Sequence, residues 1–359
     1  MVQALVAHGA REPRAVEDVA LRPLGEHDVR VTVAGVGVCH SDLSMVNGTL
    51  RPSYPLVLGH EASGVVTEAG PAAQVEVGTR VVLNWAVPCR ACWHCTHGEP
   101  WLCSAIEGST GTPGGTLADG TPFQASLGLG AMAEEVVCPS EAVVPIPDGV
   151  PLAEAALLGC AVLTGIGAAT KAAGVQAGDT VLVIGLGGVG LCAVLGARLA
   201  GAERVIGVDT SPAKEGLARA VGATDFLAAG PDLHRRVRAL TDGRGADRAL
   251  ECVGRAETIR AAWSSVRRGG TCVVVGLGGT EEQVSFSPLE LFHFSRTLTS
   301  TVYGNSDPAA DIPALAEQVL AGRLDLGPLV TDRVGLDGVP EAFERMQRGE
   351  GGRTLVVFD

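Results

Sequence analysis

Four cysteines fall within 15 residues: Cys89, Cys92, Cys95 and Cys103, the first three at a regular spacing of three. Neither helical nor strand periodicity produces that pattern. Four thiolates complete a tetrahedral zinc shell and leave no open position, so the spacing predicts a structural zinc site. A second group of metal-binding residue types is scattered: Cys39, the pair His60-Glu61, and Cys160. Two thiolates and one imidazole would form an open set, with a fourth position left for water or substrate. Spacing alone does not unite residues so far apart. Cys138, Cys192, Cys252 and Cys272 read as packing residues.

A different chemistry is carried by Gly185-Leu186-Gly187-Gly188-Val189-Gly190, which matches G-x-G-x-x-G between an apolar strand and an Ala/Leu-rich helix. Glycines let the backbone turn tightly and approach a pyrophosphate, which then rests on the helix N-terminus. Asp209 ends the next strand, 19 residues past Gly190. A carboxylate there accepts hydrogen bonds from an adenosine ribose diol and repels a 2′-phosphate, so the pattern predicts NAD rather than NADP.

The elements that must position these groups divide the chain. Up to residue 150 the pattern is mostly β, with short alternating or β-branched runs at 29–33, 64–66 and 80–83. Residues 104–128 are rich in Gly, Ser, Thr and Pro and read as a long surface loop. Residues 151–163 read as an apolar helix. From 179 onward strands and helices alternate: strands at 179–184, 204–209, 249–252 and 271–275, with helices at 189–199, 212–221 and 258–266. That alternation is the mark of a doubly wound parallel sheet, an α/β architecture. Two further helical stretches and a strand at 354–358 close the chain.

Composition sets the outer limits. The chain has 359 residues, 49 of them glycine, with 46% hydrophobic and 19% charged residues, which suits two folded domains. Its net charge of −13 repels phosphate backbones and anionic lipid, and no basic run offsets it. Nucleic-acid and membrane partners are therefore not expected. Ten cysteines, with no signal-peptide layout at the amino end, predict reduced thiols in the cytoplasm.

These motifs resemble the zinc-dependent medium-chain alcohol dehydrogenase family. The resemblance rests on residues 35–42 (Gly-Val-Gly-Val-Cys-His-Ser-Asp), 59–64 (Gly-His-Glu-Ala-Ser-Gly), the four-cysteine lobe, residues 158–165 (Leu-Gly-Cys-Ala-Val-Leu-Thr-Gly) and the glycine-rich turn. It implies a GroES-like, mostly β catalytic domain over 1–159 and 304–359, and a Rossmann NAD-binding domain over 160–303. Two zinc ions follow, one structural in the lobe and one catalytic on Cys39, His60 and Cys160. Glu61 resembles the family's carboxylate behind the metal, and Asp42 would accept the other ring N–H of His60. Ser41 would hydrogen-bond the alcohol oxygen. Asp209 and Lys214 would address the ribose, Thr164 and Val189 the nicotinamide, and Arg353 the pyrophosphate. Trp85 falls where the family has a pocket wall, with Leu50, Leu102 and Val302 completing an apolar pocket.

Two positions depart from the family pattern. Ser44 stands where many members carry the outer histidine of a proton relay, and His40 where many carry an arginine. The implied reaction is reversible oxidation of a primary alcohol, apolar or aromatic, to its aldehyde with NAD. Two alternatives remain open: oxidation of S-(hydroxymethyl)mycothiol, as in actinobacterial formaldehyde dehydrogenases, and turnover on a permanently held NAD. The family also implies a homodimer or homotetramer, with the strand at 271–275 at the pairing edge.

Overall fold

The computed structural model describes residues 1–106, 112–279 and 281–358. The chain forms two compact units, one of residues 1–163 and 307–359, the other of residues 164–306. The first boundary falls after Leu163 rather than after residue 159, so Cys160 lies in the same unit as Cys39 and His60.

The first unit is built on β-structure. Strands Val2–Ala7, Arg14–Leu21, Thr112–Leu117, Pro122–Ala125 and Leu56–Val57 close a small barrel. Beside it, a sheet runs in the order Val143–Pro145, Arg80–Leu83, Ala62–Ala69, Asp28–Gly37, Arg353–Val357, Val330–Val334, with Glu135–Pro139 paired onto Asp28–Gly37. Alternation explains the long central strand: Val29, Val31 and Val33 are buried, while Arg30 and Thr32 between them are not. The chain's last strand joins this sheet antiparallel to Asp28–Gly37, which carries Arg353 to the region of Cys39.

Residues 104–128 are not one long loop. Residues 107–111 lie outside the described residues, but 112–125 form a hairpin inside the barrel. Leu117 and Phe123 supply its buried face, and Asp119-Gly120 its turn, with Gly120 at φ +87°. The Asp-Gly step between two alternating runs is the signal that the Gly/Thr/Pro content masks. Residues 151–163 differ too: a 3₁₀ stretch, Glu154–Gly159, breaks at Cys160 (φ −147°) before the α-helix Ala161–Gly167. The break turns Cys160 out of helical register.

The second unit is a six-stranded parallel sheet in the order Asp225–Ala228, Arg204–Asp209, Thr180–Ile184, Ala246–Glu251, Val266–Val274, Thr297–Ser300. Strand order reverses at Thr180–Ile184, the point where such sheets open a crevice at their carboxyl ends. Val181, Leu182 and Val183 have no exposed surface, as a strand covered on both faces requires. Val266–Val274, which contains residues 271–274, is paired on both sides and is not an edge. The edge is Thr297–Ser300, exposed at all four positions. Among the described residues no helix is long and apolar enough to cross a membrane.

Candidate active site and metal centres

Cys39, His60, Glu61 and Cys160 come from three separate stretches, yet their ligand atoms lie within 4.8 Å of one another. Cys39 is the extended residue immediately before the helix His40–Asn47. The pair His60-Glu61 precedes the strand Ala62–Ala69, and Cys160 follows the 3₁₀ stretch. Asp42, fully buried, ties the first two stretches together. Its Oδ2 accepts from the Cys39 N–H at 3.3 Å, and its Oδ1 accepts from the Gly59 N–H at 3.1 Å and faces His60 Nδ1 at 3.1 Å. The other ring nitrogen of His60 is thereby left to the cluster. Gly37 makes room for the carboxylate of Glu61, since a Cβ there would stand 2.6 Å from its Cδ. Arg353 donates to Glu61 Oε2 at 2.6 Å and to the Val38 carbonyl at 2.8 Å.

The electrostatics of this pocket call for a cation. Glu61 has no exposed surface and its Oε1 has no hydrogen-bond partner. Burial pushes its carboxyl up to about 8 against the opposing charge of Arg353. A hydrogen bond from Cys160, with help from Arg353 and His60, pulls the Cys39 thiol down, while the same bond and burial push Cys160 up. Two bare thiolates at this depth repel each other, and a divalent cation would satisfy both sulfurs. The donor set, two sulfurs and an imidazole with a carboxylate behind, fits zinc with one position open.

The lobe is built differently. Cys89, Cys92, Cys95 and Cys103 also gather within 4.8 Å, but Cys89 is exposed and Cys92 and Cys95 are half-exposed. Backbone N–H groups point at the sulfurs: Cys92 N to Cys89 Sγ at 3.3 Å, and Cys89 N and Ala105 N to Cys103 Sγ at 3.2 and 3.4 Å. Backbone N–H groups hold the Cys89 thiol below its ordinary range, and four sulfurs fit a closed zinc shell. Arg90 anchors the lobe through two 2.6 Å bonds to Asp307.

In the second unit, the turn after Thr180–Ile184 fits a dinucleotide. Gly185 has φ +88°, a Cβ on Gly190 would lie 1.8 Å from the Gly185 carbonyl oxygen, and a Cβ on Gly187 would enter open space. Gly187 and Gly188 open the helix Gly188–Leu199. Asp209 ends the neighbouring strand; its Oδ2 accepts from the Leu186 N–H at 2.8 Å and its Oδ1 from the Ser211 N–H at 3.0 Å, which aims the carboxylate at the turn. Lys214 is buried beside it, its pKa lowered by that burial. Val189 and Thr164 are half-buried on their helices.

Around the buried cluster, Ser41 Oγ is 3.9 Å from Cys39 Sγ. The ring of Trp85 meets that of His60 edge-on, with centroids 6.4 Å apart. Leu50 packs against the same core as Trp85, whereas Leu102 is exposed. His40 is exposed in the first helical turn, and Ser44 is buried on the same helix. Val302 lies in the other unit. Cys138, Cys192 and Cys272 have no exposed surface. One residue that motif reasoning missed is Glu251. It is fully buried and accepts from the N–H groups of Val253 and Gly254 and the hydroxyl of Thr258, holding a loop that packs on Gly185. A glutamate closing the strand Ala246–Glu251 after Ala249-Leu250 is its trace in the sequence.

A dinucleotide turn on a parallel sheet, and a buried open metal set on a β-rich domain, define a metal-assisted nicotinamide oxidoreductase. The comparisons agree. Residues 25–148 match the alcohol dehydrogenase GroES-like domain and residues 188–321 the zinc-binding dehydrogenase model. An NDMA-dependent alcohol dehydrogenase of Amycolatopsis methanolica is 35% identical, over 99% of this chain and 98% of that one. An S-(hydroxymethyl)glutathione dehydrogenase of Photobacterium damsela subsp. piscicida is 34% identical over 99% of each. The crystal structure of benzyl alcohol dehydrogenase from Acinetobacter calcoaceticus covers 100% of this chain and 99% of its own, with a TM-score of 0.92 at 27% identity. The chain belongs to the zinc-dependent medium-chain alcohol dehydrogenase family and is an NAD-dependent zinc oxidoreductase acting on alcohols.

Proposed function

We propose that this chain oxidises a primary alcohol with an apolar or aromatic body to its aldehyde, reversibly, with NAD as hydride acceptor. The observation that carries the reading is the buried cluster of Cys39, His60 and Cys160 with the Trp85 ring edge against His60. Zinc held by these three residues supplies Lewis-acid polarisation of the alcohol oxygen, and NAD on the glycine-rich turn supplies the hydride acceptor. The chain's own residues do the rest. Asp42 fixes the His60 ring and its tautomer. Arg353 holds Glu61 beside the sulfurs, and its own cation offsets their negative charge. Ser41 Oγ would accept the hydroxyl proton of the substrate as its own hydroxyl proton passes to water. Trp85 presents an apolar wall that favours a hydrocarbon or aromatic body over a charged one.

Supporting the choice of NAD, the Asp209 carboxylate stands at the end of the second strand, where it repels a 2′-phosphate. The likeness to a benzyl alcohol dehydrogenase supports an aromatic substrate. Two relatives favour further readings: the NDMA-dependent enzyme supports NAD held through turnover and re-oxidised by an external acceptor, and the S-(hydroxymethyl)glutathione dehydrogenase supports a thiol adduct of formaldehyde. The exposed edge strand Thr297–Ser300, with Leu298 on it and Leu289 and Phe292 exposed nearby in sequence, supports a homodimer paired along that edge.

One substrate panel tests the reading: dialysed, zinc-replete protein with NAD and short aliphatic, long aliphatic and benzylic alcohols, and with formaldehyde plus or minus mycothiol. NADH from benzylic and long-chain alcohols is the expected result. NADH only with formaldehyde and thiol would replace it with the adduct reading. Cofactor absorbance that survives dialysis, with turnover only on an added acceptor, would replace it with the bound-NAD reading.

A further inference from the structure

The second unit contains a cleft of about 420 Å³ lined by Arg238, Gly243, Arg244, Arg267, Arg268, Phe294 and Arg296. Five of the chain's 27 lysines and arginines converge there, in a protein with 40 acidic residues. They arrive from separate segments: Arg238 from the last turn of the helix Leu233–Ala239, Arg244 from the loop before Ala246–Glu251, Arg267 and Arg268 from the start of Val266–Val274, and Arg296 from just before Thr297–Ser300. No basic run betrays the site in the sequence.

Because the sheet is parallel, the starts of its strands all lie at one end and the glycine-rich turn at the other. The cleft is therefore at the opposite end of the sheet from the dinucleotide turn. Its charges are only partly neutralised from within, by Asp247 beside Arg267 and Arg244 and by Glu290 near Arg296. Asp247 pairs with Arg267 at 2.5 Å, and Glu290 is engaged by Arg260 at 3.1 Å and by the Trp263 indole N–H at 2.7 Å. Among the described residues, Arg238 and Arg268 form no ion pair, and Arg244 acts on Asp247 only from beyond ion-pair distance. Arg296 is pre-positioned: its guanidinium lies 4.2 Å from the Phe294 ring centroid and 5.5 Å from that of Trp263, and its Nε–H reaches the Arg267 carbonyl at 3.4 Å. Burial first, and then the nearby charge of Arg238, lower the Arg296 pKa against the pull of Glu290.

Crowded guanidinium groups with free donors are unfavourable unless an anion joins them, and planar five-donor forks match phosphate oxygens. We propose that this cleft is a second ligand site, separate from the dinucleotide turn, that binds a small molecule carrying phosphate groups. Its volume is of the size that takes a small ligand.

The test is calorimetric titration of inorganic pyrophosphate into zinc-loaded, full-length protein saturated with NAD, at low salt. Saturable binding of one pyrophosphate per chain is expected. The double variant Arg244→Ala/Arg268→Ala, both exposed side chains, should bind about tenfold more weakly or worse, with its melting curve and NADH formation retained. No saturable binding to the wild type would overturn the proposal. So would undiminished binding to the variant, which would place the anion outside this cleft. Citrate binding as tightly as pyrophosphate would overturn the phosphate assignment.

Discussion

The two cysteine clusters use nearly the same donors for opposite ends. In the lobe, four sulfurs come from one short stretch, three of them reach solvent, and Arg90, held by Asp307, is a charged neighbour at the lobe's base. In the domain core, two sulfurs and an imidazole come from three distant stretches, are almost wholly buried, and are backed by Asp42, Glu61 and Arg353. A closed shell near solvent can only hold chain together. An open shell deep in the core, surrounded by groups that fix ligand orientation and balance charge, can act on a substrate. The difference lies in what surrounds the donors, more than in the donors themselves.

Four substitutions break or sharpen that contrast. The largest effect is expected from Cys39→Ser, which should lower NADH formation by about 10³-fold or more, because the metal's contribution to the barrier is several kcal/mol. NAD binding, read by fluorescence titration, should hardly change, since the dinucleotide turn lies in the other unit. Normal turnover would remove the catalytic role from the buried cluster. Next, Asp42→Asn should cost about 10–100-fold in turnover or in zinc retention against a chelator. Full activity with full zinc retention would show that His60 does not need its carboxylate.

Cys92→Ser should act the other way round. Zinc content should fall from two per chain to one, and melting should drop by about 5–10 °C, while the folded fraction keeps its turnover. Unchanged melting after loss of that zinc would contradict the structural role. The smallest effect is a control away from both metals, at the partly buried pair Arg22–Asp28. The Arg22 guanidinium holds the Asp28 carboxyl below its ordinary range, with the Gly25 N–H as a further donor. A depressed folded-state pKa adds stability above about pH 4, the unfolded value, and that stability is lost as pH falls through the folded value. Asp28→Asn should therefore melt about 3 °C lower at pH 7, with the gap closing toward pH 2. A constant gap across that range would rule out charge as its cause.

Local chemistry was legible from residues near one another in the chain. The four-cysteine spacing, the glycine-rich turn with Asp209 after it, and the alternation of strand and helix all concern separations the backbone itself spans. The hairpin at 112–125 was also local, yet its Gly, Thr and Pro content resembled a loop until burial of Leu117 and Phe123 marked it as barrel wall. Strand pairing was less accessible: residues 271–274 look apolar enough for an interface, but that apolarity serves an interior strand, and Thr297–Ser300 holds the edge.

What the sequence determined by itself was therefore the chemistry available: thiolates and imidazole for zinc, glycines for a pyrophosphate, a carboxylate for a ribose. Only the tertiary structure decided which of these groups meet. Residues 39, 60 and 160 become one site because a buried aspartate, a 3₁₀ break and the chain's last strand bring them together. The five arginines of the cleft converge for the same reason: a parallel sheet gathers at one end the starts of strands that lie far apart in the chain.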